Sequence, residues 1–273
     1  MKNFKRFVFL VTVFSVFSLT AACTGGPPPG EEKDKTEFQT KKITVSVLLF
    51  PEQISGSPRM NFSLSALNVS GSGEAENFFN VLLYDGQTID EYKENLIASY
   101  RTAYQNMRKL AEERSDMQDQ IRDWKYTESM EVRTFSDLGV VISRTKDSYT
   151  GGAHGMVQKT YYVADLRKQK ALAWNDLFTD PESPELYRLV TDGLRQYAGL
   201  KKDAPLSSGI YFMDEPGISD NFFPTIDGLW FHWNPYEIGP YSEGAIEIVI
   251  PWDKIRYLLN DEGLVILNQW LRI

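Results

Sequence analysis

One cysteine, two histidines and a deficit of basic residues set the first limits on this chain. A single thiol excludes an internal disulfide, so the fold must rest on its apolar core. With so few Cys and His residues there is no cluster spaced for a structural zinc site, and no metal or cofactor is assigned. Lys and Arg number 29 against 37 Asp and Glu, a formal net charge of −8. Affinity for nucleic acid comes largely from cations neutralising phosphates, so no nucleic-acid partner is expected. No Gly-x-Ser-x-Gly elbow is found, and no pair of carboxylates stands out as glycosidase-like, so no catalytic residue is assigned. What is abundant is aromatic: six Trp, fourteen Tyr and sixteen Phe in 273 residues, far too many for a disordered chain.

Lys2, Lys5 and Arg6 open the sequence, and Phe7 to Leu19 is apolar except for Thr12, Ser15 and Ser18. That run is shorter than the roughly 20 residues a spanning helix needs, and it has the order of a secretory signal. Thr20, Ala21 and Ala22 then lead into Cys23, which resembles the bacterial lipobox. The resemblance implies cleavage of residues 1–22 and a diacylglycerol thioether on Cys23, making the lipid bilayer a partner. Thr24 to Thr40 carries three consecutive prolines and mixed charge, and with Cys23 reads as a tether over residues 23–40. Thr24 is not the aspartate that retains lipoproteins at the inner membrane, so an outer-membrane anchor is expected.

From Ile43 the hydrophobic period is two. Ile43, Val45, Val47 and Leu49 alternate with their neighbours, and Met60, Phe62 and Leu64 resume the pattern. Between Gln87 and Glu113 the period lengthens to three or four through Ile89, Tyr92, Leu96, Tyr100, Ala103, Met107 and Leu110, predicting a long amphipathic helix. Further strands are expected at Trp124 to Arg133, Leu138 to Ile142, Met156 to Leu166, Gly228 to Trp233 and Ala245 to Ile250. Ser183-Pro184-Glu185 signals a second helix with Ser183 as its cap, and Pro251-Trp252-Asp253 opens a third that stops near Gly263. The fold class is therefore α+β, mainly antiparallel sheet with one long and two shorter helices. The body divides on this reading into an N-terminal α+β half (41–140) and a C-terminal domain (141–273).

Two segments stand out: Tyr149-Thr150-Gly151-Gly152-Ala153-His154-Gly155 and Asn234-Pro235-Tyr236-Glu237-Ile238-Gly239-Pro240-Tyr241-Ser242-Glu243-Gly244. Together they resemble the signature of an extracytoplasmic domain family of unknown function, related domains of which occur in RsiV-type anti-sigma factors and PdaC-type polysaccharide deacetylases. The likeness runs from about Val140 to Leu259. It implies a cell-envelope module. In the anti-sigma relatives the region recognises lysozyme, and in the deacetylase relatives it accompanies a separate catalytic domain.

The residues admit both plain and chemical roles. Gly151, Gly152 and Gly155 suit a tight turn, or a pocket in which backbone N–H groups and His154 bind an anion or a sugar hydroxyl. Strand periodicity places His232 opposite Glu247 if the last two strands pair, a contact more often structural than catalytic. Tyr236, Glu237 and Tyr241, braced by Pro235 and Pro240, suit recognition of a protein surface or a glycan, or pack back on the sheet with Glu237 accepting bonds inside the loop. The expectation is a lipid-anchored binding module for a lysozyme-like protein or peptidoglycan, using Tyr149, Gly151, Gly152, His154, Asn234, Tyr236, Glu237 and Tyr241. The alternative is a cell-wall hydrolase or deacetylase acting through His154, His232 or Glu237.

Overall fold

The structure, a computed structural model, describes residues 35–49, 58–114 and 121–272. The signal segment, Cys23 and most of the expected tether lie outside the described residues. Alternating side chains form β1 (Glu37–Leu48) and β2 (Arg59–Ser70), paired antiparallel with Ile43 opposite Leu64 and Val45 opposite Phe62. β1 begins at Glu37, so the last four residues of the Thr24 to Thr40 stretch are strand. Further along come β3 (Trp124–Phe135), β4 (Gly139–Tyr149), β5 (Met156–Asp165) and β6 (Lys170–Leu172), and one sheet carries β1 to β6 in sequence order. The tight turn between β5 and β6 is held by Asp165, whose carboxylate accepts the backbone N–H groups of Arg167 and Lys168 at 2.8 and 3.0 Å.

β2 and β3 are parallel, with Phe62 opposite Tyr126. Parallel neighbours need a long crossover. The intervening chain supplies two helices, α1 (Gly73–Tyr84) and α2 (Ile89–Glu113). Sequence periodicity finds only the second, because the Phe78-Phe79 and Val81-Leu82-Leu83 runs of α1 blur the spacing of its buried residues Ala75, Phe79 and Leu83.

The chain divides into two compact units interleaved in sequence, where a single division at residue 140 is expected from sequence. Among the described residues, the first takes those up to Ser72, those of Gln87–Ser129 and Asp147–Met156; the second takes Gly73–Gly86, Met130–Lys146 and those from Val157 onward.

In the first unit the buried alternation of β2 (Met60, Phe62, Leu64, Ala66) and the start of β3 (Trp124, Tyr126) meets α2. Phe62 stacks on Tyr126 at 5.2 Å, and Tyr104 meets Trp124 edge-on at 5.2 Å. The helix is therefore rotated relative to the expected stripe: Tyr104 and Ala111 are buried, while Ala103 and Leu110 face solvent. Packing against the bulky indole selects the tyrosine. Glu128 is fully buried here, and the hydroxyls of Tyr92 (2.8 Å) and Tyr126 donate to its Oε2. Burial, then this carboxylate, pushes the Tyr126 phenol far above its ordinary value. At the start of α2, Thr88 and Glu91 form a reciprocal capping box: the Glu91 N–H donates to Thr88 Oγ1 at 3.2 Å and the Thr88 N–H to Glu91 Oε2 at 2.9 Å. Thr88→Ala is expected to lower stability by about 1 kcal/mol. Urea unfolding measures it, and an unchanged midpoint would remove the cap from the account.

The second unit is built on a separate sheet of β7 (Phe222–Pro224), β8 (Gly228–Trp233) and β9 (Ile246–Pro251), antiparallel throughout. Period two puts Leu229, Phe231, Trp233, Ile246, Ile248 and Ile250 on one face, none more than 5% exposed. They share a core with Leu186, Val190 and Leu194 of α3 (Pro184–Tyr197). Ser183 does occupy the N-cap position of α3, but its side chain makes no capping bond; Pro184 in the first turn presets the backbone instead. The C-terminal helix is broken earlier than its sequence suggests, into α4 (Trp252–Ile255) and α5 (Asp261–Val265). Asn260 caps α5 through a 3.1 Å bond from the Gly263 N–H, and its amide donates to the carbonyls of Asp176 and Phe178. Gly263 lies inside α5 rather than ending a helix, because a Cβ there would come 2.5 Å from the Leu177 carbonyl oxygen.

Candidate functional site

The first sequence motif falls in the first unit and the second motif in the second unit. In the first, Tyr149 ends β4 and its hydroxyl accepts a 3.1 Å bond from Arg122. Gly151 is buried with φ +94°, a left-handed conformation that glycine adopts without steric penalty. Gly152 and His154 are exposed, and His154 Nδ1 lies 2.8 Å from the Gly155 carbonyl. This is the geometry of a β4–β5 connection, with the imidazole at its rim.

The second motif is knitted into a hydrogen-bonded chain. Antiparallel register places His232 directly opposite Glu247, as periodicity predicts. The His232 ring is 2% exposed, and its Nδ1 lies 2.8 Å from Glu247 Oε1. Its Nε2 lies 3.1 Å from Asn234 Oδ1, which also accepts the Lys159 backbone N–H at 2.6 Å. Asn234 Nδ2 donates to Glu237 Oε1 at 3.2 Å, which fixes which way the amide points, and the Asn234 N–H donates to Glu237 Oε2 at 2.7 Å. Tyr161 completes the site: its hydroxyl is 3.5 Å from Glu247 Oε1 and its ring meets His232 edge-on at 5.7 Å.

The electrostatics follow from this arrangement. The His232 contact, aided by Lys159 and Tyr161, holds the Glu247 carboxyl below its ordinary value of 4.5 against the opposing effect of burial. The ring is held from both sides, Nδ1 against the Glu247 carboxylate and Nε2 against Asn234 Oδ1. It acts as a brace between the sheet and the loop.

That loop is stiff. Tyr236 N–H donates to the Gly239 carbonyl at 3.2 Å, Glu237 N–H to the Asn234 carbonyl at 3.1 Å, and Ile238 is buried. Tyr236 has φ +73°, a strained conformation for a residue with a Cβ, and is 49% exposed with its ring 5.6 Å from Tyr241. The Phe212 N–H donates to the Ile238 carbonyl at 3.0 Å, bringing exposed Phe212 and Met213 beside the loop. Asp214, Glu215, Glu237 and Glu243 are all exposed on the same two segments.

Of the expected residues, Asn234, Tyr236, Glu237 and Tyr241 are therefore gathered with His232 and Glu247. Cys23 lies outside the described residues. Tyr161, Lys159, Phe212 and Met213 are additions. Alternation along β5 gives the face of Tyr161 but not its partner strand, so no local signal points to it. Among the described residues no three His, Cys, Asp or Glu side chains gather as metal ligands, and no helix is long and apolar enough to cross a membrane.

Comparison with known proteins agrees with this fold. A crystal structure of a DUF3298 family member from Bacteroides fragilis superposes with a TM-score of 0.71 at 22% identity, covering 86% of this chain and 98% of the other. A DUF3298 family protein from Pseudomonas aeruginosa superposes with a TM-score of 0.54 at 17% identity, covering 85% and 97%. None of the curated proteins matches the chain. The family model described as protein of unknown function (DUF3298) matches residues 175–253, the stretch that holds α3, β7 to β9 and the braced tyrosine loop.

Proposed function

We propose that the chain is a lipid-anchored, non-enzymatic envelope module that binds an extracytoplasmic protein through its Asn234 to Gly244 loop. The observation that carries this is Tyr236, a half-exposed aromatic held in a strained left-handed backbone by a loop braced with internal hydrogen bonds. Strain of this kind persists where surrounding structure enforces it, and it presents the ring without an ordering cost on binding. Phe212, Met213 and the acids around them give an aromatic patch with a negative rim, which suits a basic partner such as a lysozyme. The resemblance of its two motifs to those of RsiV-type proteins supports the same partner, the signal-like segment with Cys23 supports the anchor, and Thr24 in place of aspartate supports an outer-membrane address. The commitment of both His232 nitrogens favours binding over a hydrolase or deacetylase.

Two variants test the loop. Tyr236→Gly relieves the left-handed strain and is expected to stabilise the fold by about 1 kcal/mol. The same change removes the ring and should abolish salt-sensitive retention on immobilised lysozyme. Retention undiminished by Tyr236→Gly, or none by the native protein at low salt, rejects this reading; retention on purified peptidoglycan alone would move the loop's ligand to a glycan.

A further inference from the structure

The two faces of the β7–β8–β9 sheet differ in a way the core does not require. One is sealed. On the other, Phe223, Trp230 and Val249 are direct cross-strand neighbours, and all three are only half-buried. The rings form a fixed pile: Tyr161 stacks on Phe223 at 4.0 Å and 26°, and Phe223 on Trp230 at 5.8 Å and 12°. The indole is locked by a 3.1 Å bond from its Nε1 to Thr225 Oγ1. The next register row on this face is His232 and Glu247. Glu247 Oε1 is occupied by His232 and Tyr161, but among the described residues its Oε2 makes no hydrogen bond, and the side chain is 35% exposed. Lys159 supplies a cation to the same place, its Nζ 5.8 Å from the centre of the Tyr161 ring.

We infer that this face is a glycan subsite, seating a neutral pyranose ring against Trp230 and Val249 with hydroxyls on Glu247 Oε2 and Lys159 Nζ. The C–H face of a pyranose packs on an immobile aromatic edge or plane, and a preset carboxylate accepts sugar hydroxyls without first losing rotamer freedom. Charge narrows the class. The His232 contact and the nearby Lys159 already stabilise the Glu247 carboxylate, so a free cation gains little, and the carboxylate repels an anion. Uncharged hydroxyls pair with both groups. The subsite is distinct from the tyrosine loop, and it takes only the choice of glycan from the envelope reading.

Titration of the full folded chain with chitotetraose, followed through the Trp230 indole N–H signal in a ¹H–¹⁵N spectrum, tests it. A saturable shift in the millimolar range is expected. Val249→Lys fills the seat from a half-exposed position on an edge strand and should weaken binding about tenfold or more. Tyr236→Gly should leave it unchanged, which separates failure here from failure of the loop reading. An indole signal that does not move, or a folded Val249→Lys protein that binds as the native one does, overturns the assignment.

Discussion

A methyl group at position 228 is expected to destabilise the protein by about 3 kcal/mol or more. Gly228 starts β8 opposite Pro251, and a Cβ placed there would come 2.3 Å from the Ile250 carbonyl oxygen and 2.8 Å from Val249 Cγ2. The first of these obstacles is backbone, which cannot rotate aside. Relief would require β8 and β9 to separate at the end where Leu229 and Ile250 enter the core, both at most 3% exposed. The register that sets His232 opposite Glu247 would loosen with it. Urea unfolding of Gly228→Ala is the measurement; a loss below about 1 kcal/mol would mean that the strands do not approach as described.

His232→Ala is expected to cost a further figure of about 3 kcal/mol, for an electrostatic reason. Removing the ring leaves the half-buried Glu247 carboxylate without its main partner and strips Asn234 Oδ1 of one donor. The pH dependence carries a sign. Glu247 has a lowered value in the fold, so its contribution is fully present above the unfolded value and disappears as pH falls through the folded one. Relative to Glu247→Gln, the native protein should therefore lose its advantage only in acid below 4.5, the ordinary value for this side chain. In His232→Ala the same loss should begin at higher pH. Melting temperatures of the three proteins across the acid range check both statements, and parallel curves would exclude Glu247 as the titrating group.

The parts legible in the sequence are those with a single dominant period. β8 and β9 alternate cleanly, so their residues and faces follow from spacing, and the His232–Glu247 contact follows once the two strands pair. Helix α2 is visible for the same reason, though its rotation is not, because Tyr100, Ala103, Tyr104 and Met107 fit the helical period in more than one way and only Trp124 decides between them. Helix α1 is hidden by consecutive apolar residues. The parallel pairing of β2 with β3 leaves no local mark, since it depends on a crossover rather than on either strand. In the candidate site, the tyrosine loop is legible from its prolines and aromatics. Tyr161 and Lys159 are not, because they reach Glu247 and Asn234 from 86 and 75 residues away in the chain.

The interleaving of the two compact units has a practical outcome for anyone who would take the molecule apart. Each draws on three separate stretches, and β3 and β4 each hand the chain from one to the other partway along their length. No scission at a single point yields a self-sufficient half. A fragment ending near residue 140 would keep β1 to β3 and α2 but forfeit the Asp147–Met156 contribution, and one starting there would forfeit α1.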